Sequence, residues 1–294
     1  MPLHTDLIGQ RGEAVTDRLE DRWTMNYAAS VNDLNPVYYA NEGGARVPVH
    51  PTYVSFLEWD AIGMVEAQLS GITDDDRLRG VHSYNHTTLD NHFGAGDELR
   101  SVATVVGVER RRSGGRLTFK IETTVEDRMV ATSYTSVIYR GVAVEGGEDV
   151  TPEIPSLGAV DLTGTPDRIE ALEIGALAPY HFSECARDYG AIHTDRNEAQ
   201  KAGLPGIILH GTGTIAYALS SITNHEAGGD PTRVVGFEAR LADMVPCPST
   251  TSLRVFDRRG DGDAIRFELM SQAGGKAISG GVVRLSPEAV QHPM

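Results

Sequence analysis

The same order of predicted elements occurs twice along this chain of 294 residues. In each half a short helix leads to a loop that contains an aspartate, and a long apolar helix and several strands follow. Apolar residues at helical spacing predict the two long helices, one beginning at Pro51 and one over 211–223. In the loop at 33–38 an aspartate stands five residues before Tyr38, and in the loop at 188–193 an aspartate stands five residues before His193. This repeat indicates a duplicated domain, which restricts the fold to two similar units.

Alternating apolar and polar residues, many of them β-branched, predict the strands of both halves. These strands cover 81–89, 99–108, 117–125 and 129–139 in the first half, and 169–178, 233–240, 251–257, 264–271 and 276–285 in the second. Turns rich in glycine and aspartate separate them, for example at 94–97 and 260–263. A long helix followed by antiparallel strands predicts an α+β unit in which the sheet wraps around the helix.

The two halves are separated by a stretch that is rich in glycine, proline and acidic residues and has no period. We therefore predict an N-terminal domain over 1–142, a linker over 143–168 and a C-terminal domain over 169–294. The C-terminal domain is expected to carry the active site, and the N-terminal domain to support it and to accommodate part of a ligand.

Charge and composition exclude several classes of function. A net charge of −15 argues against a nucleic-acid partner, because phosphate binding needs clustered Lys and Arg. We expect no membrane span, since no run approaches the ~20 apolar residues required. The first residues show no charged-then-apolar signal pattern. Two cysteines, Cys185 and Cys247, suggest neither a disulfide framework nor a metal site, so we expect a cytoplasmic protein without metal or cofactor.

The strongest chemical signal is the segment from Asp188 to Gly211. An aspartate and a histidine, His193, that reach one substrate position can activate water and deliver a proton. Gly211 opens the second apolar helix, where an unpaired backbone N–H and the helix dipole suit an oxygen that gains negative charge. Taken singly, the aspartate could cap a turn, the histidine could be structural and the glycine could serve a tight turn.

The first half provides an internal comparison. Tyr38 stands where the second half has His193, and Pro51 stands where it has Gly211. Tyrosine is a poor base at neutral pH, and proline has no N–H to donate. The first copy thus lacks both the base and the N–H donor, and the second copy has both, as expected if only the second copy is catalytic.

At these residues the sequence resembles the MaoC-like (R)-specific 2-enoyl-CoA hydratase and 3-hydroxyacyl-thioester dehydratase family of double hot-dog proteins. The family signature is Asp-x-Asn-Pro-Ile-His-x-Asp, followed by Ala-Gly-x-Pro and Ile-x-His-Gly. The matching segments here are 188–195, 202–205 and 208–211. The first half is similar to the non-catalytic hot-dog unit of two-domain members.

The resemblance implies a tandem hot-dog fold and reversible addition of water across the 2,3-double bond of an acyl-CoA thioester, with Asp188 and His193 as the catalytic pair and the Gly211 N–H as oxyanion donor. It implies no cofactor, and it is compatible with a homodimer of double hot-dog units. Further residues are expected to contact the substrate: Gly190, His210 and Thr212 near the pair, and Arg196, Lys201 and Arg240 at the phosphates.

Two departures from the signature bear on function. Gly190 and Ala191 replace the Asn and Pro of the family, which puts substrate fit in question and would suit a branched or carboxylated acyl group. Two other functions stay open: a non-catalytic binder of acyl thioesters, and a hot-dog thioesterase. Carrier-protein thioesters are the less favoured alternative to CoA thioesters.

Overall fold

A computed structural model describes residues 2–69, 72–256 and 263–286. Its helices are α1 (Asp21–Ser30), α2 (Ser55–Glu66), α3 (Asp74–Leu78), α4 (Ala178–Ala186), α5 (Arg196–Lys201) and α6 (Gly211–Glu226). Its strands are β1 (Leu3–His4), β2 (Val15–Arg18), β3 (Gly80–Leu89), β4 (Glu98–Arg111), β5 (Gly114–Val125), β6 (Arg128–Arg140), β7 (Val144–Glu145), β8 (Arg168–Ile174), β9 (Val234–Leu241), β10 (Ser249–Phe256), β11 (Ala264–Met270) and β12 (Lys276–Leu285).

Ten of these strands form one sheet in the order β2-β4-β5-β6-β3-β9-β12-β11-β10-β8. The first five come from the first half of the chain and the last five from the second. The halves join where β3 pairs antiparallel with β9, in a register that sets Tyr84 opposite Arg240 and Thr88 opposite Gly236. This arrangement confirms the predicted α+β fold with two hot-dog units side by side.

The two long helices lie against the sheet, and most of their residues are buried. In α6 the residues from Thr212 to Thr223 are all buried, and α2 buries seven of its residues, including Phe56 and Ile62. A helix that is apolar all round needs cover on every face. One continuous core holds residues of both halves, and the ring of Tyr27 in α1 meets that of Phe182 in α4 with centroids 5.6 Å apart.

The predicted strands all occur, with ends that differ by a few residues. The first long helix begins at Ser55 rather than at Pro51, because residues 51–54 form a turn before it. The short parallel pair of β1 with β7 was not predicted, and β7 falls within the proposed linker. Residues 260–262 of the turn expected at 260–263 lie outside the described residues. The domain bounds stay a proposal.

Within the described ranges, no helix is both long enough and apolar enough to span a membrane.

One carboxyl group lies inside the first unit and is hydrogen-bonded to a hydroxyl group. Glu58 of α2 is 3% exposed, and the hydroxyl of Ser133 donates to its Oε1. Burial raises the pKa of Glu58 to about 7, although the Ser133 hydrogen bond lowers it in part. The folded state therefore favours the protonated carboxyl group.

This burial predicts a pH-dependent stability. Because folding raises this pKa, the protonated carboxyl group makes its full contribution to stability below the unfolded-state pKa of 4.5. This contribution is lost as the pH rises through the folded-state pKa of about 7. Glutamine does not ionise, so Glu58→Gln should remove this loss. The free energy of unfolding of the variant, relative to that of the native protein, should therefore rise by about 2–3 kcal/mol from pH 5 to pH 8. Urea unfolding at both pH values measures the gain.

Glu184→Gln, at an exposed carboxyl group in α4, provides the matched control and should show no such gain. An equal stability difference at pH 5 and pH 8 for Glu58→Gln would contradict the cost assigned to the buried charge.

Candidate active site

A cavity of about 310 Å³ lies where the two halves meet and contains the predicted catalytic segment. From the second half it is lined by Asp188, Gly190, His193 and Gly211, together with Leu241 and Met244. From the first half it is lined by Trp59, Ile62, Gly63 and Glu66 of α2, by Arg77, by His82 of β3 and by Tyr139 of β6. The cavity therefore depends on both copies of the repeat.

The end of α4 positions Asp188. Arg187 adopts a left-handed conformation with φ 54° and ends the helix, which turns the chain toward the cavity. The N–H of Asp188 then donates to the carbonyl of Ser183 at 3.1 Å. The Ser183 hydroxyl donates in return to the Asp188 carbonyl at 2.6 Å. This reciprocal pair leaves the carboxyl group of Asp188 free to face the cavity.

A carbonyl group fixes the orientation and the tautomer of His193. Nδ1 of its ring lies 2.8 Å from the carbonyl oxygen of Ile208, which can only accept a hydrogen bond. Nδ1 therefore carries the proton, and Nε2 of the neutral ring has a free lone pair. Burial, together with nearby His210, lowers the pKa of His193 to about 3, so the ring is neutral around pH 7.

The backbone at Gly190 shows that the carboxyl group and the imidazole share one space. A methyl group built on its Cα would lie 3.5 Å from Nε2 of His193 and 3.7 Å from Oδ1 of Asp188. Burial raises the pKa of Asp188, although His193 and the Gly190 N–H lower it in part. A carboxyl group that can hold a proton therefore stands beside a nitrogen that can accept one.

Gly211 is the first residue of α6 and lies on the cavity wall. Its N–H has no acceptor within the helix, because the first turn of a helix lacks preceding carbonyls. A side chain does not fit here: a Cβ would lie 2.8 Å from Nδ1 of His82 and 2.9 Å from Cδ1 of Leu241. The glycine thus allows β3 of the first half to approach the start of the helix.

His210 lies behind the cavity rather than in its wall. It is fully buried, and its ring stacks on that of His193 with centroids 3.8 Å apart. Its Nε2 donates to the carbonyl of Asp188 at 3.0 Å. The predicted contact of His210 with substrate is therefore not supported by its position; it holds the Asp188 loop and the His193 ring in place.

The other predicted contacts lie away from the cavity. Thr212 is buried and accepts a hydrogen bond from Nε1 of Trp59 at 3.0 Å. Arg196 and Lys201 are exposed on α5, where Lys201 pairs with Glu198. Arg240 is exposed and lines a separate groove. Of the predicted set, only Asp188, Gly190, His193 and Gly211 line the cavity, because the rest have other partners or face solvent.

Several cavity residues from the first half were not predicted. Trp59, Glu66 and His82 come from α2 and β3, more than one hundred residues before the catalytic loop. The spacing of Trp59, Ile62, Gly63 and Glu66 would place them on one face of a helix. That spacing does not indicate which part of the protein this face of the helix lies against.

The corresponding residues of the first half form no open site. Tyr38 is fully buried, and its hydroxyl has no hydrogen-bond partner among the described residues. Asp33 is 2% exposed, and its Oδ1 accepts from Nδ2 of Asn224 in α6 at 3.0 Å. Nε2 of His50 is hydrogen-bonded to Ser220 of α6 at 3.0 Å. These side chains fasten the first loop to the second helix.

Within the described ranges, no three His, Cys, Asp or Glu side chains are placed to hold a metal ion.

The fold, one sheet with a long helix in each half, is that of the double hot-dog class. Residues 180–271 match the MaoC like domain family, and residues 6–133 match the FAS1-like dehydratase domain region. The family resemblance is thus confirmed for these two segments, which resemble a MaoC-like dehydratase domain and a FAS1-like dehydratase region.

Individual relatives agree with this assignment. Peroxisomal multifunctional enzyme type 2 of Mus musculus is 22% identical over 277 residues, which cover 90% of this chain and 36% of the mouse enzyme. This chain therefore spans about a third of that relative.

The same fold occurs in solved structures. A MaoC-like dehydratase from Phytophthora capsici superposes with a TM-score of 0.83 at 16% identity, over 97% of this chain and 98% of that one. A Mycobacterium tuberculosis protein described as having a double hotdog fold superposes with a TM-score of 0.60 at 15% identity, over 95% and 96%. At these identities the likeness establishes the fold.

The packing at the start of α6 predicts a steric cost for any side chain there. Gly211→Ala should lower the free energy of unfolding by about 1–3 kcal/mol, because the new methyl group overlaps His82 and Leu241. Urea denaturation of the two proteins measures the difference.

Gly213→Ala is the matched control in the same helix. A Cβ there meets its nearest atom, Cδ1 of Leu209, at 3.3 Å, and alanine is the better helix former. It should therefore cost less than Gly211→Ala. Equal losses for the two variants would argue against the close approach of β3 to Gly211.

Proposed function

We propose that this protein reversibly adds water across the 2,3-double bond of an acyl-CoA thioester. One observation carries the proposal: the free Nε2 of His193 and the Asp188 carboxyl group face one space beside the Gly211 N–H. Hydration needs a base for water, an acid for the α-carbon and a donor for the thioester oxygen, and these three groups supply them.

In the hydration direction, water lies beside His193 and C3 of the enoyl thioester. Nε2 removes a proton from the water as its oxygen bonds to C3, and the electrons of the double bond move toward the thioester oxygen. The Gly211 N–H stabilises the resulting enolate. Protonated Asp188 then delivers its proton to C2, and the proton held by His193 returns to Asp188. Dehydration follows the same steps in reverse.

The neutral histidine supports this division of roles. Its Nδ1 is occupied by the Ile208 carbonyl, so only Nε2 can exchange a proton with a ligand. The raised pKa of Asp188 suits a carboxyl group that carries a proton during part of the cycle. A thioesterase would instead direct water to the thioester carbon, and a binder would need neither proton transfer.

The chain's substrate, location and assembly are part of the proposal. CoA thioesters are preferred to carrier-protein thioesters as substrates, the protein acts in the cytoplasm, and a homodimer of double hot-dog units is its expected assembly. The N-terminal unit supplies space for the acyl group, in keeping with the share of the cavity wall that α2 and β3 provide.

Removal of either proton-transfer group should abolish most of the activity. We expect Asp188→Asn and His193→Ala each to lower kcat for hydration of a short enoyl-CoA by roughly 10²–10⁴-fold, the usual contribution of a general acid or base. Loss of enoyl-thioester absorbance measures the rate, and a thiol reagent detects free CoA. Wild-type rates in both variants would refute the proposed roles, and release of free thiol would indicate a thioesterase.

Tyr38→Phe is the matched control at the equivalent position of the first half. It removes a buried hydroxyl that has no partner among the described residues, so kcat should be unchanged and stability should not fall. A large loss of activity in Tyr38→Phe would show that the first copy takes part in the chemistry.

A further inference from the structure

The part of the cavity that lies in the first half ends in polar side chains. Glu66 at the end of α2, Arg77 of α3 and Tyr139 of β6 line it together. The Tyr139 hydroxyl, which is buried, donates to Oε1 of Glu66. The mechanism proposed above uses none of these residues. A purely alkyl acyl group gives no reason for a carboxylate and a guanidinium in this wall.

Helix α2 sets the separation between this polar cluster and the catalytic groups. Trp59 marks the catalytic end, because it donates to Thr212 and its ring meets His82 with centroids 5.1 Å apart. Glu66 follows Trp59 by two helical turns, about 10 Å along the axis at 1.5 Å per residue. An extended chain advances about 1.2 Å per bond, so about eight bonds span this distance.

Glu66 and Arg77 leave a gap that one small polar group can fill. Nε of Arg77 lies 4.0 Å from Oε2 of Glu66, which is too far for a direct hydrogen bond. Two other nitrogens of Arg77 are held in place, one by the Glu66 carbonyl at 2.8 Å and one by Asp74 at 2.6 Å. A hydroxyl group between Nε and Oε2 could accept from the first and donate to the second.

Charge disfavours anionic groups at this cluster. Arg77 lies between the carboxyl groups of Glu66 and Asp74, and Asp75 is next to it in α3, whereas the charge of Asp76 is offset by Arg79. This surplus of acid disfavours the phosphates of CoA and a terminal carboxylate of the acyl group. The CoA moiety therefore enters from another side, and the acyl tail points toward the cluster.

A plain alkyl tail at this point would lose free energy. It would remove water from Oε2 of Glu66 and from Arg77 without replacing the lost hydrogen bonds, and an unpaired buried polar group is costly. A site that hydrogen-bonds a substrate hydroxyl rejects the analogue that lacks it for this reason.

We propose that Glu66 and Arg77 form a subsite for a hydroxyl group on the distal part of the acyl chain, so that the substrates are hydroxylated acyl thioesters of medium length. The subsite rests on the proposed function, because the acyl chain is placed by the Asp188–His193 pair. It does not depend on which step the pair catalyses.

Binding of saturated acyl-CoA thioesters tests the subsite without any turnover. Isothermal titration of the full chain would compare hexanoyl-, octanoyl- and decanoyl-CoA with their terminal hydroxy forms. We expect the hydroxy form to bind about tenfold more tightly at the chain length that reaches Glu66. Glu66→Leu should remove or reverse this preference, and Arg77→Met should do the same if the first variant does not fold.

Asp74→Asn is the control, since it alters only the exposed partner of Arg77, and the preference should persist in it. Equal or tighter binding of the plain chain at every length would overturn the subsite, as would a preference that survives both Glu66→Leu and Arg77→Met. Turnover of a short enoyl-CoA, which cannot reach Glu66, tests the proposed function separately. If the protein hydrates the short enoyl-CoA but binds plain and hydroxylated chains equally, only the subsite is rejected. If it prefers hydroxylated chains but does not hydrate the enoyl-CoA, only the proposed reaction is rejected.

Discussion

The carbonyl oxygen of Asp188 is the point on which the geometry of the site depends. It accepts hydrogen bonds from the Ser183 hydroxyl and from Nε2 of His210, so α4 and the residue before α6 hold the same loop. The ring of His210 stacks in turn on His193, whose Nδ1 is held by Ile208. These contacts fix both groups before a ligand binds, and preorganised groups need no rearrangement during the reaction.

The repeat uses one framework in two ways. In the second half, the loop and the helix start face a cavity that they share with the first half. In the first half, Asp33 and His50 bind Asn224 and Ser220 of α6, so the equivalent loop becomes a fastening for the second helix. A buried tyrosine, Tyr38, occupies the position that corresponds to His193, the proposed base. In the first copy, the loop that corresponds to the proposed catalytic loop therefore provides contacts that hold the second copy.

The fold was predictable, and so was the meeting of Asp188, His193 and Gly211 at one cavity, because the signals for both are local. Alternation over a few residues predicts a strand, and the short spacing from Asp188 to His193 and Gly211 survives folding as proximity. The wall formed by Trp59, His82 and Glu66 was not predictable, since it depends on the β3–β9 pairing between distant segments. The contact of Arg196 and Lys201 with the substrate phosphates stays a prediction, since both are exposed on α5 and neither lines the cavity.

The polar cluster of Glu66, Arg77 and Tyr139 lies on the first half, which has a consequence for how substrate preference can change. The groups proposed to transfer protons lie on the second half, whereas much of the cavity wall beyond them belongs to the first. Substitutions on α2 or α3 can alter which acyl chains fit while the Asp188 loop keeps its hydrogen bonds. Under the proposed function, duplication thus separates the choice of acyl chain from the reaction itself, and each half can vary under its own constraint.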